Sequence, residues 1–163
     1  MTIETGQNKA VVGFRGSESI NKFQKVTDWT IADFGLLDST ITGQQKDATE
    51  YMRYLYANYP GYEYTTAGHS LGGNLAQHAL LTAPDGMIVA HGYSYDGPGN
   101  SAEYNTLYAD QINKNGWKLT HYQWSLIGGL LYPLPDDTGK YIYVKTGNYD
   151  NQYCSGLARM AGN

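Results

Sequence analysis

A G-x-S-x-G pattern spans residues 68–72, with Ser70 at its centre. Small and β-prone residues precede it, and an apolar pattern of helical period follows it. Glycines two positions before and after Ser70 allow the backbone to close a sharp turn without Cβ clashes. In this setting the pattern predicts a strand, a tight turn and a helix that together expose Ser70 as a nucleophile.

A serine hydroxyl attacks an acyl group efficiently only when a base removes its proton and hydrogen-bond donors stabilise the oxyanion that forms. At the predicted turn the backbone N–H of Leu71 points into the site, and the helix dipole adds positive potential there. A second donor should come from a loop after an earlier strand. The turn at residues 15–17 directly follows the β-prone run KAVVGF at 9–14, so it is well placed to supply that donor.

Strand and helix patterns alternate along the chain. Between residues 44 and 59 apolar residues recur at steps of three and four, which marks one face of a helix that Pro60 and Gly61 end. The order is typical of a parallel α/β sheet with crossover helices. The other predicted strands are at 9–14, in the run that directly precedes the Ser70 turn, and at 87–95, 117–122 and 141–145. The other predicted helices are at 71–82 and 101–115.

Several motifs in sequence order resemble the class 3 lipases, and more closely the bacterial lipase-like branch of that α/β-hydrolase family. They are GFRGS at 13–17, the pairs Asp28-Trp29 and Asp33-Phe34, AGHSLGG at 67–73 and YDGPGN at 95–100. The resemblance extends from about residue 9 to 135 and implies an α/β-hydrolase core, minimal or truncated at both ends.

The resemblance also implies an activity and part of the site. It implies a lipase or esterase that hydrolyses a lipid or small ester through an acyl-Ser70 intermediate, with no cofactor. Ser17 would line the oxyanion hole through its backbone N–H, opposite the N–H of Leu71.

The catalytic acid and base do not follow from the resemblance. Gln123-Trp124-Ser125 stands where that family carries its aspartate, and the sequence has no histidine after His121. One hypothesis is a triad of Ser70, Asp96 and His121, which has the chain order of α/β-hydrolases. In the competing interpretation Asp96 caps a structural turn and His121 is an ordinary core side chain.

A second hypothesis places the base elsewhere. The chain would then be a truncated or split domain whose histidine lies beyond Asn163 or on a partner chain, or a catalytically inactive fold that serves as a binding module. Asp136 and Asp137 are outside candidates for a displaced acid, although a solvated turn explains them more simply. His78 is expected to be a buried or half-buried, hydrogen-bonded side chain, and Trp117 to pack in the core or a groove.

Composition narrows the functional classes. The 163 residues suit a single domain over 1–163, and the net charge of -4 without a basic run argues against nucleic-acid binding. No transmembrane segment and no signal peptide are visible in the sequence, which favours a soluble protein and leaves cytoplasmic and secreted locations open. No pair of side chains has the spacing of metal ligands, so no metal is predicted. The single cysteine excludes an intrachain disulfide.

Overall fold

The computed structural model describes residues 1–16, 41–123 and 139–143. Within these residues, six strands form one sheet in the order β1 to β6. Only the β1–β2 pair is antiparallel, and the four later pairs are parallel. The strands are β1 (Thr2–Gly6), β2 (Lys9–Phe14), β3 (Glu63–His69), β4 (Ile88–Tyr95), β5 (Leu119–Gln123) and β6 (Lys140–Tyr143).

Four α-helices and one 3-10 turn connect the described strands. They are α1 (Gly43–Asn58), α2 (Leu71–Leu81), α3 (Ala102–Leu107), α4 (Ala109–Asn115) and the 3-10 turn Gly116–Lys118. A capping box begins α1: the Gln45 N–H donates to the Thr42 hydroxyl, and the Thr42 N–H donates to the Gln45 side chain.

The described helices share one core with one face of the sheet. Alternate residues of β2 and β3, among them Val12 and Tyr64, pack in a single cluster with Met52 of α1, Leu80 of α2 and Ile112 of α4. Strand order follows chain order, and right-handed crossovers made in one direction place successive helices on one side of a sheet. The helix α2 lies at the centre of this layer, against β2, β3, β4 and α1.

The opposite face of β4 and β5 carries a row of half-buried aromatic side chains. The rings of Tyr95 and Tyr122 stack with centroids 5.2 Å apart, and His91 and Tyr93 extend the row along β4. Rings stacked in this way shield the backbone of neighbouring strands and add cross-strand packing energy.

The structure confirms the predicted α/β fold with a mostly parallel sheet, which is compatible with an α/β-hydrolase-like core. It differs from the predictions in three local features. β1 was not predicted, the helix expected over 101–115 is broken at Tyr108, and the strand expected from residue 117 begins at Leu119. Trp117 lies in the 3-10 turn and is 71% exposed, so the prediction that it packs in the core or a groove was wrong.

Candidate active site

Ser70 occupies the turn between β3 and α2, as the pattern predicted. Its backbone has a φ of 54° and a ψ of -131°, and φ values in this positive range are costly for residues other than glycine. Such strain is the mark of a nucleophile elbow, because the sharp turn lifts the serine side chain out of the strand-to-helix connection.

The flanking glycines are required by close backbone contacts. A Cβ on Gly68 would lie 2.1 Å from the carbonyl oxygen of Gly72, and a Cβ on Gly72 would lie 2.3 Å from the carbonyl oxygen of Phe14. Both distances are far below van der Waals contact, so any side chain at either position would push α2 away from β2 and β3. The glycine spacing therefore seats the beginning of α2 on the sheet.

The turn predicted to supply the second oxyanion donor lies beside the elbow. A Cβ on Gly16 would be 2.7 Å from the carbonyl oxygen of His69 and 3.4 Å from Cβ of Ser70. On the other side, Leu71 is the first residue of α2, and the N–H groups of a first helical turn have no intrahelical acceptor. Ser17 lies outside the described residues, so its part in the oxyanion hole stays a prediction.

Asp96 lies next to Ser70 at the end of the neighbouring strand. His69 and Tyr95 form the last residue pair of β3 and β4, and the Ser70 N–H donates to the Tyr95 carbonyl at 2.9 Å. The N–H of Asp96 in turn donates to the Tyr122 carbonyl at 2.7 Å, and its φ is 50°. The carboxyl ends of parallel strands thus bring the predicted nucleophile and acid to one edge of the sheet.

His121 lies deeper in the sheet than these two residues. It is fully buried within β5, where its ring stacks on Tyr141 with centroids 4.7 Å apart. Gly68, Ser94 and His121 are at one level of the sheet, two residues below Ser70. With two inter-strand spacings between β3 and β5, the Cα atoms of Ser70 and His121 are about 12 Å apart. The structure therefore brings Asp96 to Ser70 and leaves His121 inside the sheet.

A buried network of side-chain amides holds α2 behind the elbow, and it was not predicted from the sequence. Nε2 of Gln45 donates to Oδ1 of Asn74 at 2.9 Å and to Oδ1 of Asn100 at 3.1 Å. Nδ2 of Asn74 lies 2.8 Å from Oδ1 of Asn100 and 3.2 Å from the carbonyl oxygens of Pro98 and Gly99. The capping box at Gln45 is the only local signal, since buried polar residues cannot be recognised by hydrophobic periodicity.

The same amides connect the elbow to the segment after Asp96. Asn74 is in the first turn of α2, and its N–H lies 3.4 Å from the Ser70 carbonyl oxygen. On the other side of that segment, Nε2 of Gln123 donates to the Gly97 carbonyl at 3.3 Å. Amides carry no net charge, so the network fixes the segment without introducing a charge that would compete with the chemistry.

His78 is the buried, hydrogen-bonded side chain that the sequence predicted. Its Nδ1 lies 2.6 Å from the Tyr104 hydroxyl and its Nε2 lies 2.9 Å from the Thr49 hydroxyl. The Thr82 hydroxyl donates its hydrogen to the His78 carbonyl, so it accepts a hydrogen bond from the Thr49 hydroxyl. The Thr49 hydroxyl, whose own hydrogen is then used, accepts from the Nε2–H of His78. Burial lowers the pKa of His78 to about 4, and a backbone hydrogen bond with Gln45 raises this pKa by a smaller amount. The ring is therefore neutral at pH 7.

One cavity lies away from the elbow. It has a volume of about 490 Å³ and lies at the other end of α2, where Arg53, Thr82, Asp85 and Lys114 line it. Within residues 1–16, 41–123 and 139–143, no group of three or more histidine, cysteine, aspartate or glutamate side chains could hold a metal ion. None of the helices in these residues is long and apolar enough to span a bilayer.

A mostly parallel sheet with a strained serine at a strand-to-helix turn is compatible with an α/β-hydrolase-like core. The chain belongs to the Mbeg1-like family, whose model matches residues 1–146. No curated protein matches the chain at a significant level.

The family match corrects the assignment to the class 3 lipases, which was wrong because the matching model is Mbeg1-like. Three glycines of the motifs behind that assignment follow from the geometry of an elbow. Gly68, Gly72 and Gly16 are required wherever α2 and the first loop approach the strands this closely, so they do not distinguish one family with this turn from another. The segment with Asp28 and Asp33, and the outside acid candidates Asp136 and Asp137, lie outside the described residues.

Proposed function

We propose that this protein is a serine hydrolase that cleaves carboxylic esters, of lipids or of small molecules, through an acyl-Ser70 intermediate. The observation that carries the proposal is the strained backbone of Ser70 together with the turn at Gly16 packed against it. A strained serine beside two candidate sources of backbone N–H groups is the arrangement that acyl transfer needs.

The reaction would proceed in two displacements. Oγ of Ser70 attacks the ester carbonyl while a base takes its proton, and the N–H of Leu71 with the loop at Gly16 stabilises the oxyanion. The C–O bond to the alcohol then breaks, and the alcohol leaves with the proton. Water attacks the acyl-serine in the second step, which releases the carboxylic acid and restores the hydroxyl.

One hypothesis for the rest of the triad takes Asp96, which adjoins Ser70 at the sheet edge, as the acid and His121 as the base. A direct hydrogen bond between His121 and Ser70 would require the two side chains to bridge the separation of about 12 Å between their Cα atoms. That separation and the burial of His121 argue against direct proton transfer from Ser70 to His121. The competing candidates are a base supplied by a partner chain and a fold that binds a ligand without catalysis.

A fluorophosphonate probe, which reacts only with activated serines, distinguishes these functions. We expect folded wild-type protein to be labelled, and Ser70→Ala and heat-denatured wild type to remain unlabelled. Loss of labelling in His121→Ala and Asp96→Asn would assign the base and acid, whereas unchanged labelling would remove that residue from the triad. A folded wild-type chain that does not react would rule out hydrolysis by this chain alone and favour the alternative.

A further inference from the structure

A second cavity, of about 370 Å³, lies between β1, the end of α1 and the beginning of β3. It is within the size range of small-molecule sites, roughly 300–1,000 Å³. The strand β3 separates it from the elbow, because the cavity is at the amino end of β3 and Ser70 follows its carboxyl end. The strand length places them roughly 20 Å apart, so the cavity is a separate site from the elbow.

Five tyrosines line this cavity, which we call the tyrosine groove, and their rings form a continuous series of contacts. Successive centroids are 6.2 to 6.4 Å apart. Tyr54 and Tyr59, at its rim, are 52% and 48% exposed. In chain order the five are Tyr51, Tyr54, Tyr59, Tyr62 and Tyr64.

The rings around Tyr59 differ in orientation, whereas the Tyr51 and Tyr54 rings are stacked at 12° and the Tyr62 and Tyr64 rings are tilted by 32°. The Tyr59 ring stands at 68° to the Tyr54 ring and at 78° to the Tyr62 ring. A sugar stacks on one flat ring, whereas a compact cation is stabilised by the negative faces of several rings around it. Several tyrosine rings of different orientation around one cavity suit a compact cation.

A carboxylate lies in the same groove. Glu4 lines it and accepts a hydrogen bond of 2.9 Å from the Tyr62 hydroxyl, which leaves further carboxylate lone pairs for a ligand. Among the described residues that line the groove, none is a lysine or arginine that could neutralise Glu4. The groove is consequently complementary to positive charge.

Hydrogen bonds hold part of the groove in place before any ligand binds. The Tyr51 hydroxyl lies 2.8 Å from the Thr2 hydroxyl, and the buried Tyr64 hydroxyl donates to the Tyr59 carbonyl at 3.2 Å. A site whose walls are already ordered loses less conformational entropy on binding.

We propose that the tyrosine groove binds a small molecule carrying a quaternary ammonium group. The methyl groups of such a cation pack against the tyrosine faces, and Glu4 balances its charge. No ordinary hydrogen-bond donor is needed on the ligand, which suits a groove in which the hydroxyls of Tyr51, Tyr62 and Tyr64 are already engaged. The site is distinct from the proposed hydrolase site and does not depend on it.

Calorimetric titration of the full chain with choline tests the proposal, with its neutral isostere 3,3-dimethyl-1-butanol as the charge control. We expect saturable binding of choline with a millimolar or lower Kd, and binding of the isostere at least about ten-fold weaker. Equal binding of the two, absence of saturable choline binding, or binding of cellobiose in the groove instead would overturn the proposal.

Variants locate the site. Tyr54→Ala, Tyr59→Ala and Glu4→Gln should each weaken choline binding about three-fold or more. Tyr56→Ala is the matched control, because Tyr56 is an exposed tyrosine of the same helix outside the groove. An equal loss in Tyr56→Ala would place binding elsewhere and contradict the assignment. Ser70→Ala should bind choline normally, so failure of the hydrolase proposal would not affect this result.

Discussion

The backbone N–H of Ser70 donates a 2.9 Å hydrogen bond to the carbonyl of Tyr95, the residue before Asp96. This bond continues the ladder of β3 and β4 by one residue into the turn. The elbow is therefore positioned by the sheet itself, and substitutions of the Ser70 side chain leave that bond in place. Variants at Ser70 can consequently separate the chemistry of the hydroxyl from the strain of the backbone.

Replacing Ser70 by glycine should stabilise the fold relative to Ser70→Ala by about 1 kcal/mol, because glycine accepts a positive φ without steric cost. Urea unfolding of the two variants measures the difference. Equal midpoints would show that the elbow carries no strain of this kind.

A Cβ at position 72 should be poorly tolerated. Gly72→Ala is expected to lower the free energy of unfolding by about 2 kcal/mol or more, since the methyl group would meet the Phe14 carbonyl oxygen at 2.3 Å. Gly43→Ala is the matched control, because Gly43 begins α1 with no atom within 4 Å of the added Cβ. Similar stabilities of the two variants would argue against the close approach of α2 to β2.

Loss of the buried amide at position 74 should be costly as well. Asn74→Ala removes the donor to the Asn100 side chain and leaves Gln45 with a buried, unmatched N–H, which costs about 3 kcal/mol in total. Asn58→Ala, which removes an exposed hydrogen bond to the Tyr54 carbonyl, should cost less than about 0.5 kcal/mol. Thermal or urea unfolding distinguishes them, and a cost for Asn74→Ala as small as that of Asn58→Ala would contradict the network.

Acid should destabilise the fold through His78. Its folded-state pKa of about 4 is below the ordinary value of 6.5, so between these values the unfolded chain binds a proton that the folded chain does not. The contribution of His78 to the free energy of unfolding is therefore fully present above pH 6.5. It is lost as the pH is lowered toward 4, by about 3 kcal/mol at most. Burial lowers the pKa of His91 too, which adds to the loss in the same direction.

His78→Gln should flatten this dependence, since glutamine does not titrate. Urea midpoints measured from neutral pH down to about pH 4.5 provide the comparison, in the range where folded and unfolded chains differ in proton binding. The same slope in wild type and variant would mean that other groups dominate the acid response.

The sequence predicted those features that depend on local spacing. The glycines around Ser70 and the alternation of strand and helix patterns were sufficient for the elbow, for α1 and α2 and for the parallel sheet. The N-terminal hairpin was missed because its turn places Gln7 at a positive φ of 53°, which glutamine rarely adopts.

Features that depend on long-range packing were not predictable from local patterns. Gln45, Asn74 and Asn100 are far apart in the chain, and each alone resembles an ordinary surface amide. The depth of His121 depends on the register of β5 against β4, and a shift of two residues would have placed it at the sheet edge beside Asp96.

The strand order has a consequence for how the protein is made. During translation each of the six described strands can pair with the edge left by the described strand before it, and none of the six must insert between two that are already joined. Pairing between chain neighbours keeps the contact order low for a parallel sheet, which favours rapid folding. The sheet can thus grow from its N-terminal hairpin in the direction of synthesis, with Ser70 entering its turn as soon as β3 has joined β2.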